Sequence, residues 1–433
     1  MFRSGGSRPS RRLFLKSAAA AASSAALSPA QIPAVHPGGA GTIRVGMIGC
    51  GGRCTGAAED ALSAGPDVQL VAMGDIFEHR VKGSLAQLRK SKADQVKVDP
   101  DRCFVGFDAY RKVIECSDVV LIACASKFHA RYARAALEAG RHVFVEKPHA
   151  IDMAGVRELE AAVRIAREKK LSLVSGLQSR YHPLYQETIR QIHEGAIGDV
   201  VAIEETWLRG PYGLNPRRAG QTEMQFQFSN WYHFCWLSGD DVLQTLTHNL
   251  DRSTWVMKGQ APVWAHGLGG RSASFGEVYG DMFDHHSVYY EYANGTRLYA
   301  CCRTVNGCYN ENSTRIYGTK GRCDLFAGRI EGEKPWKYSG PGGNPYRLEH
   351  KALMDSIRSG TPINNGDYMV TSTMVCIMGQ VACYTGRKVT WEEISKSNFS
   401  FGPLDGNFEM EPPTKPGPDG NYPLPVPGKT RLL

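Results

Sequence analysis

The stretch from Ile43 to Leu62, IRVGMIGCGGRCTGAAEDAL, runs from an apolar strand through a glycine-rich turn into a helix. Ile43 to Ile48 is a nearly all-apolar run, as expected of a strand buried on both faces. Gly49, Gly51 and Gly52 follow directly, and Thr55 to Ala64 reads as a helix. A pyrophosphate approaches backbone closely only where no Cβ intervenes, and a helix amino terminus offers free N–H groups and a positive dipole end. Cys54 takes the third glycine position of G-x-G-x-x-G and is small enough for close helix packing. The placement between strand and helix gives this otherwise common pattern its meaning.

Working outward, a second strand, Val68 to Gly74, ends at Asp75, 26 residues after Gly49. An acid there accepts hydrogen bonds from the adenosine ribose and repels a 2′-phosphate, favouring NAD over NADP. The alternative is an Asp that caps the next helix. Arg80, one helical turn on, would soften the discrimination. The alternation continues through strands at Cys103–Gly106, Val119–Ala123, His142–Glu146 and Ser172–Gly176, with helical segments between them. Six such strands make a doubly wound parallel sheet, an α/β Rossmann domain over residues 41–176. Glu146-Lys147-Pro148 closes the fifth strand, so Lys147 stands where open α/β sheets bind ligands. Lys-Pro is held extended and is among the few dipeptides for which a cis bond is cheap.

Residues 1–40 read as export signal and linker. Ser10 to Lys16 is SRRLFLK, a twin-arginine motif, and an alanine-rich stretch from Ala18 to Leu27 follows it. Ser28-Pro29-Ala30 resembles a cleavage site, and no acid occurs before Glu59. The apolar stretch is too short for membrane insertion. The expectation is a periplasmic or secreted protein exported already folded. The formal charge of +8 includes Arg3, Arg8, Arg11, Arg12 and Lys16, leaving about +3 on the mature chain. With no basic stripe, nucleic-acid binding is excluded. The 12 cysteines lack C-x-x-C spacing and sit mostly in apolar strands, which points to buried thiols.

Residues 177–402 carry antiparallel signals and read as an α+β domain with a large, mostly antiparallel open sheet. Asn294-Gly295 lies between two β-rich runs, and Gly318 to Gly321 joins Thr314–Tyr317 to Arg322–Phe326. Helices are expected at Pro183–Glu194 and Leu348–Ser359. Residues 403–433 read as an extended arm, with seven prolines between Glu411 and Gly428.

VGMIGCGGR, AALEAGRHVFVEKP and THNLD (Thr247 to Asp251) together make the chain resemble the Gfo/Idh/MocA oxidoreductase family over nearly all of the mature sequence. The tract from Gly220 to Asp251 is similar to a secreted, twin-arginine branch of it. The resemblance implies a homo-oligomer built on the open sheet face and a small carbohydrate or glycoside substrate; export in the folded state to a compartment without a nucleotide pool implies that NAD travels tightly bound. The family resemblance implies catalysis by Lys147 and His248, flanking the nicotinamide and a substrate hydroxyl. It also implies cofactor contacts from Gly49, Gly51, Gly52, Arg53, Asp75, Ser126, His129, Glu146 and Lys147, with Gln178 and Arg180 near the floor of the site. Gln244 stands where an acid is usual; it can orient a hydroxyl but cannot relay a proton.

Oxidising a hydroxyl-bearing carbon requires a base for the hydroxyl proton, a role that suits histidine near neutral pH, and an ammonium stabilises the developing alkoxide. For the sugar ring, Arg209, Arg217, Glu223, Asn230, Trp231 and Tyr232 combine aromatic faces with polar rims; the alternative is an aromatic cluster packed under a long loop. His285-His286 would point to opposite faces of a strand, so no metal site is expected. Three functions fit: an NAD-dependent sugar dehydrogenase, a redox-neutral NAD-dependent glycosidase, and a non-catalytic sugar-binding protein.

Overall fold

The computed structural model describes Met1 and residues 41–433; the twin-arginine motif and cleavage region lie outside the described residues. Six parallel strands form the first sheet: β1 (Ile43–Ile48), β2 (Val68–Asp75), β3 (Cys103–Val105), β4 (Val119–Ile122), β5 (His142–Val145) and β6 (Leu173–Ser175). Their order is β3-β2-β1-β4-β5-β6. Chain order reverses between β1 and β4, which opens a crevice at the carboxyl ends of those strands. Both β4 and β5 are buried throughout, and only Arg44 of β1 is exposed, because helices cover both faces. Helix α1 (Gly52–Leu62) starts three residues before Thr55. Gly51 is its extended N-cap, so the glycine turn is already the first turn of the helix.

The second sheet contains β7 (Val200–Arg209), β8 (Trp264–Gly270), β9 (His285–Glu291), β10 (Arg297–Thr304), β11 (Glu311–Gly318), β12 (Gly321–Asp324), β13 (Arg329–Gly332), β14 (Trp336–Lys337) and β15 (Val389–Thr390). Their order is β14-β13-β12-β11-β7-β10-β9-β8-β15, with only β7 and β10 parallel. The turn through Asn294 and Gly295 (φ +85°) joins β9 to β10. His285 is exposed and His286 buried, on opposite faces of β9.

Helices α2 (Thr247–Val256) and α3 (Gly366–Thr385) pack against the second sheet, and α3 also meets the helix Met153–Glu168 of the first. Sixteen of the residues of α3 are buried, which explains its apolar character all round. Among the described residues no helix is long and apolar enough to cross a membrane. The far face of the sheet leaves Leu268 and Tyr299 exposed. All 12 cysteines are free, and only Cys308 is exposed. Residues 403–433 contain no helix or strand. Phe408 nevertheless stacks on Phe77 at 5.5 Å and meets Phe107 edge-on at 4.9 Å, which anchors the arm just past the carboxyl ends of β2 and β3.

Candidate active site

A cavity of about 540 Å³ opens at the carboxyl ends of β1 and β2. Gly49 to Arg53, Asp75 and Arg80 wall one side, and Asn230, Trp231 and Tyr232 line it as well. Gly49 has φ +89°, and a Cβ there would lie 2.7 Å from the Ala123 carbonyl oxygen. A Cβ on Gly51 or Gly52 would meet nothing within 4 Å, so the space above them is open. Asp75 lines the cavity while also accepting from Cys50 N at 2.7 Å and Phe77 N at 2.9 Å. Its carboxylate therefore braces the glycine turn without leaving the nucleotide groove, and it does not cap the next helix, whose N-cap is Phe77. Arg53 Nε lies 3.1 Å from Glu146 Oε1, and its buried Nη2 has no hydrogen-bond partner. An open glycine cradle, the free amides of α1 and a guanidinium whose Nη2, 3.7 Å from Asp60, makes no hydrogen bond together fit a dinucleotide pyrophosphate.

Lys147 follows β5 through a cis bond to Pro148. Its backbone N donates to Glu146 Oε2 at 3.1 Å, and its Nζ donates to the Gln244 carbonyl at 2.8 Å. Gln244 ends the short helix Asp241–Gln244, four residues before His248, so this bond brings the ammonium close to the start of α2. Burial pushes the Lys147 pKa below the ordinary lysine value, opposed by Glu146 and reinforced by Arg209. Burial, and then the Lys147 charge, hold His248 well below the usual imidazole range. The His248 ring is therefore neutral, its buried Nδ1 has no hydrogen-bond partner, and it packs 5.7 Å from Trp207. A neutral imidazole beside an ammonium is the arrangement required for deprotonating a hydroxyl and holding the resulting alkoxide.

A second cavity, about 160 Å³, lies beside His248 and is lined by Gln178, Ser179, His182, Trp207 and Arg252 among others. Several residues expected at the site stand elsewhere. Trp231 and Tyr232, expected at the sugar, line the nucleotide cavity instead; they stack on each other at 3.8 Å, and Tyr232 stacks on Tyr212 at 4.2 Å. Arg180 is held by Asp251 through a forked pair at 2.8 to 2.9 Å, between Trp255 and Tyr368. Arg209 sits 3.6 Å over Tyr212 and donates to Thr245 Oγ1 at 3.0 Å.

The Gln244 amide donates to Ser126 Oγ at 3.0 Å, so both side chains are buried against each other, and Gln244 serves the site through its backbone carbonyl. His129 faces the Pro148 carbonyl at 2.8 Å and the Cys124 carbonyl at 3.1 Å, bracing the Lys147 turn from below. Arg217 pairs with Glu223 at 2.6 Å, and Asn230 donates to Asn215 O at 2.8 Å. The residue that sequence reasoning missed is Arg252. Its signal was present in the four-residue spacing from His248, which puts both on one face of α2.

A glycine-cradled parallel sheet, with Lys147 just past its fifth strand and His248 on the helix α2 that packs against the second sheet, is the arrangement of an NAD-binding domain joined to a second α/β domain. The chain belongs to the Gfo/Idh/MocA oxidoreductase family. The family's NAD-binding Rossmann fold matches residues 43–177, and its C-terminal alpha/beta domain matches residues 189–366. Over 169 residues the chain is 30% identical to dTDP-3,4-didehydro-2,6-dideoxy-alpha-D-glucose 3-reductase of Actinomadura kijaniata, covering 38% of this chain and 45% of that one. It is 28% identical over 169 residues to glycosyl hydrolase family 109 protein 1 of Bacteroides fragilis, covering 38% and 34%. The chain thus spans less than half the length of these curated relatives.

Among solved structures, aldose-aldose oxidoreductase from Caulobacter crescentus shares the fold with a TM-score of 0.62 and 19% identity, over 81% of this chain and 99% of that one. The WlbA dehydrogenase from Bordetella pertussis, in complex with NADH and UDP-GlcNAcA, gives 0.61 and 17%, over 81% and 98%.

Proposed function

We propose that the protein oxidises a hydroxyl-bearing carbon of a sugar or glycoside, with Lys147 and His248 managing the hydroxyl proton. The observation that carries this reading is His248, neutral and with its buried Nδ1 unpartnered, on the wall of a cavity and four residues from the carbonyl that fixes the Lys147 ammonium. His248 accepts the proton, and Lys147 donates a hydrogen bond to the developing alkoxide. Gly51, Gly52, Arg53 and Asp75 hold the dinucleotide, whose chemistry when bound is two-electron acceptance. At about 160 Å³ the substrate cavity falls below the range for drug-sized ligands, which supports a single ring.

The cofactor stays bound between turnovers. Support comes from Trp231 and Tyr232 walling the cavity and from Phe408 packing on its rim residue Phe107. Such retention suits export in the folded state to the periplasm, which the SRRLFLK motif supports. The division into domains 41–176 and 177–402 and a homo-oligomer through the open sheet face belong to the same reading; exposed Leu268 and Tyr299 support the latter.

A second reading, redox-neutral glycoside cleavage, is favoured by the similarity to family 109 glycosyl hydrolases. It would begin with the same proton removal and then require a further base for elimination. Lys147→Ala and His248→Ala should each reduce turnover by at least ~100-fold while nucleotide stays bound. Near-normal turnover by both variants on an established substrate refutes the assignment.

A further inference from the structure

The cavity beside His248 contains a cation that the proton chemistry does not use. Arg252 follows His248 by one helical turn of α2 and is 3% exposed. Its Nε donates to Thr314 Oγ1 at 2.9 Å, and its Nη1 lies 3.5 Å from Ser179 Oγ. The buried Nη2 has no hydrogen-bond partner. Its acid neighbour, Glu205, stands off at 3.8 Å. Both Glu205 oxygens are taken by other donors: Ser253 at 2.8 Å on one, and Asn249 at 2.9 Å and Thr314 at 2.6 Å on the other. Burial raises the Glu205 pKa to about 7, so its negative charge is weakened near neutrality. Among the described residues that wall the cavity there is no carboxylate.

A guanidinium N–H buried without an acceptor is costly, and a cation so poorly compensated favours a ligand that carries the missing charge. A planar carboxylate matches the guanidinium fork and fits on a single ring within the space available. We propose that Arg252 receives a carboxylate, and that the substrate is an acidic sugar of the hexuronate class, free or as a glycoside. Trp207 on the same wall offers an aromatic face to the C–H side of that ring. The proposal rests on the sugar-oxidation reading, and binding and turnover separate the two.

The test uses the full chain with its bound nucleotide. Calorimetry compares glucuronate with glucose and galacturonate with galactose, and turnover is followed on the same four sugars. Wild type should bind each uronate at least ~10-fold tighter than its neutral parent, the scale of a charge-assisted hydrogen bond. Arg252→Gln should bring that ratio to within about 2-fold, whereas Arg252→Lys keeps the charge and much of the preference. Glu205→Gln, which removes the competing acid, should raise the ratio; this variant decides the matter if Arg252→Gln does not fold. Equal binding of uronate and parent, a ratio unmoved by these variants, or tighter binding of a hexose phosphate overturns the proposal. Preferred but unoxidised uronates would leave it standing and remove the oxidation reading. Oxidised neutral hexoses with no uronate preference would do the reverse.

Discussion

Gly49 and Gly51 stand two residues apart in one turn, and replacing each with alanine should give opposite outcomes. Gly49 has φ +89°, and an added Cβ would meet backbone: Ala123 O at 2.7 Å, and Ala123 C and Cys124 Cα at 2.9 Å. The left-handed conformation costs a residue with a Cβ about 1–2 kcal/mol. Crowding that only a backbone shift can relieve adds about 1–3 kcal/mol, so Gly49→Ala should cost about 2–5 kcal/mol even without nucleotide. Gly51 has φ −76° and ψ 173°, which alanine adopts freely, and its Cβ would meet nothing within 4 Å. Only its poorer N-capping acts on the stripped protein, about 1 kcal/mol or less. The Cβ instead occupies the space reserved for a pyrophosphate, so NAD affinity should fall at least ~10-fold, about 1.4 kcal/mol. The assay is thermal unfolding of nucleotide-stripped protein, followed by NAD titration. If Gly51→Ala melts as early as Gly49→Ala, or binds NAD like wild type, the cradle does not face the cofactor as described.

Stability should also fall on acidification. Burial holds His129 and His233 at about 4, and His149 and His350 at about 3, against 6.5 for free histidine. As pH drops below 6.5 the unfolded chain takes up protons first, so stability is full above 6.5 and is lost progressively toward about 3. At ~1.4 kcal/mol per unit, His149, whose ring nitrogens face the hydroxyls of Thr373 and Ser175 as a neutral imidazole can, alone accounts for about 5 kcal/mol; an unfolding temperature that is flat across this window would show these rings are not buried neutral. Phe408→Ala should release bound nucleotide several-fold faster in a chase experiment with the fold intact, and an unchanged release rate would remove the arm from cofactor retention. Asp75→Ala should raise the ratio of NADP to NAD affinity, measured by titration, because it removes the charge that repels a 2′-phosphate. An unchanged ratio would leave Asp75 only its bracing role toward Cys50 and Phe77.

The first sheet was legible because its signals are local. Apolar runs such as Val119–Ile122 and the Gly49–Gly52 turn set strand, loop and helix within a few residues, and Asn294-Gly295 did the same for a hairpin of the second sheet. Lys147 and His248 were legible because their positions follow from motifs tied to strand and helix ends. The remaining site residues depend on partners distant in sequence. Nothing near Arg180 shows that Asp251 will take its guanidinium. Nothing near Gln244 shows that Ser126 will take its amide while Lys147 takes its carbonyl. Trp231 and Tyr232 had the right chemistry for a sugar, but the turn Trp231–His233 sends them to the nucleotide cavity. Arg252 was within reach of helical spacing, yet only the fold shows that its Nη2 is buried without a hydrogen-bond partner.

The central claim is that a sugar hydroxyl is oxidised at the Lys147–His248 pair by a cofactor the protein retains. The most direct measurement mixes purified protein, carrying its own nucleotide, with a panel of sugars and glycosides in deuterated water. Absorbance of the reduced nicotinamide is followed in time, and NMR identifies the products. The expected result is a rise bounded by the amount of bound nucleotide, a keto-sugar product, turnover on adding a carbonyl acceptor, and a rise at least ~100-fold slower in His248→Ala. Free sugar carrying deuterium beside the reacting carbon, formed with no acceptor and no net absorbance change, would contradict the dehydrogenase and establish the glycosidase in its place.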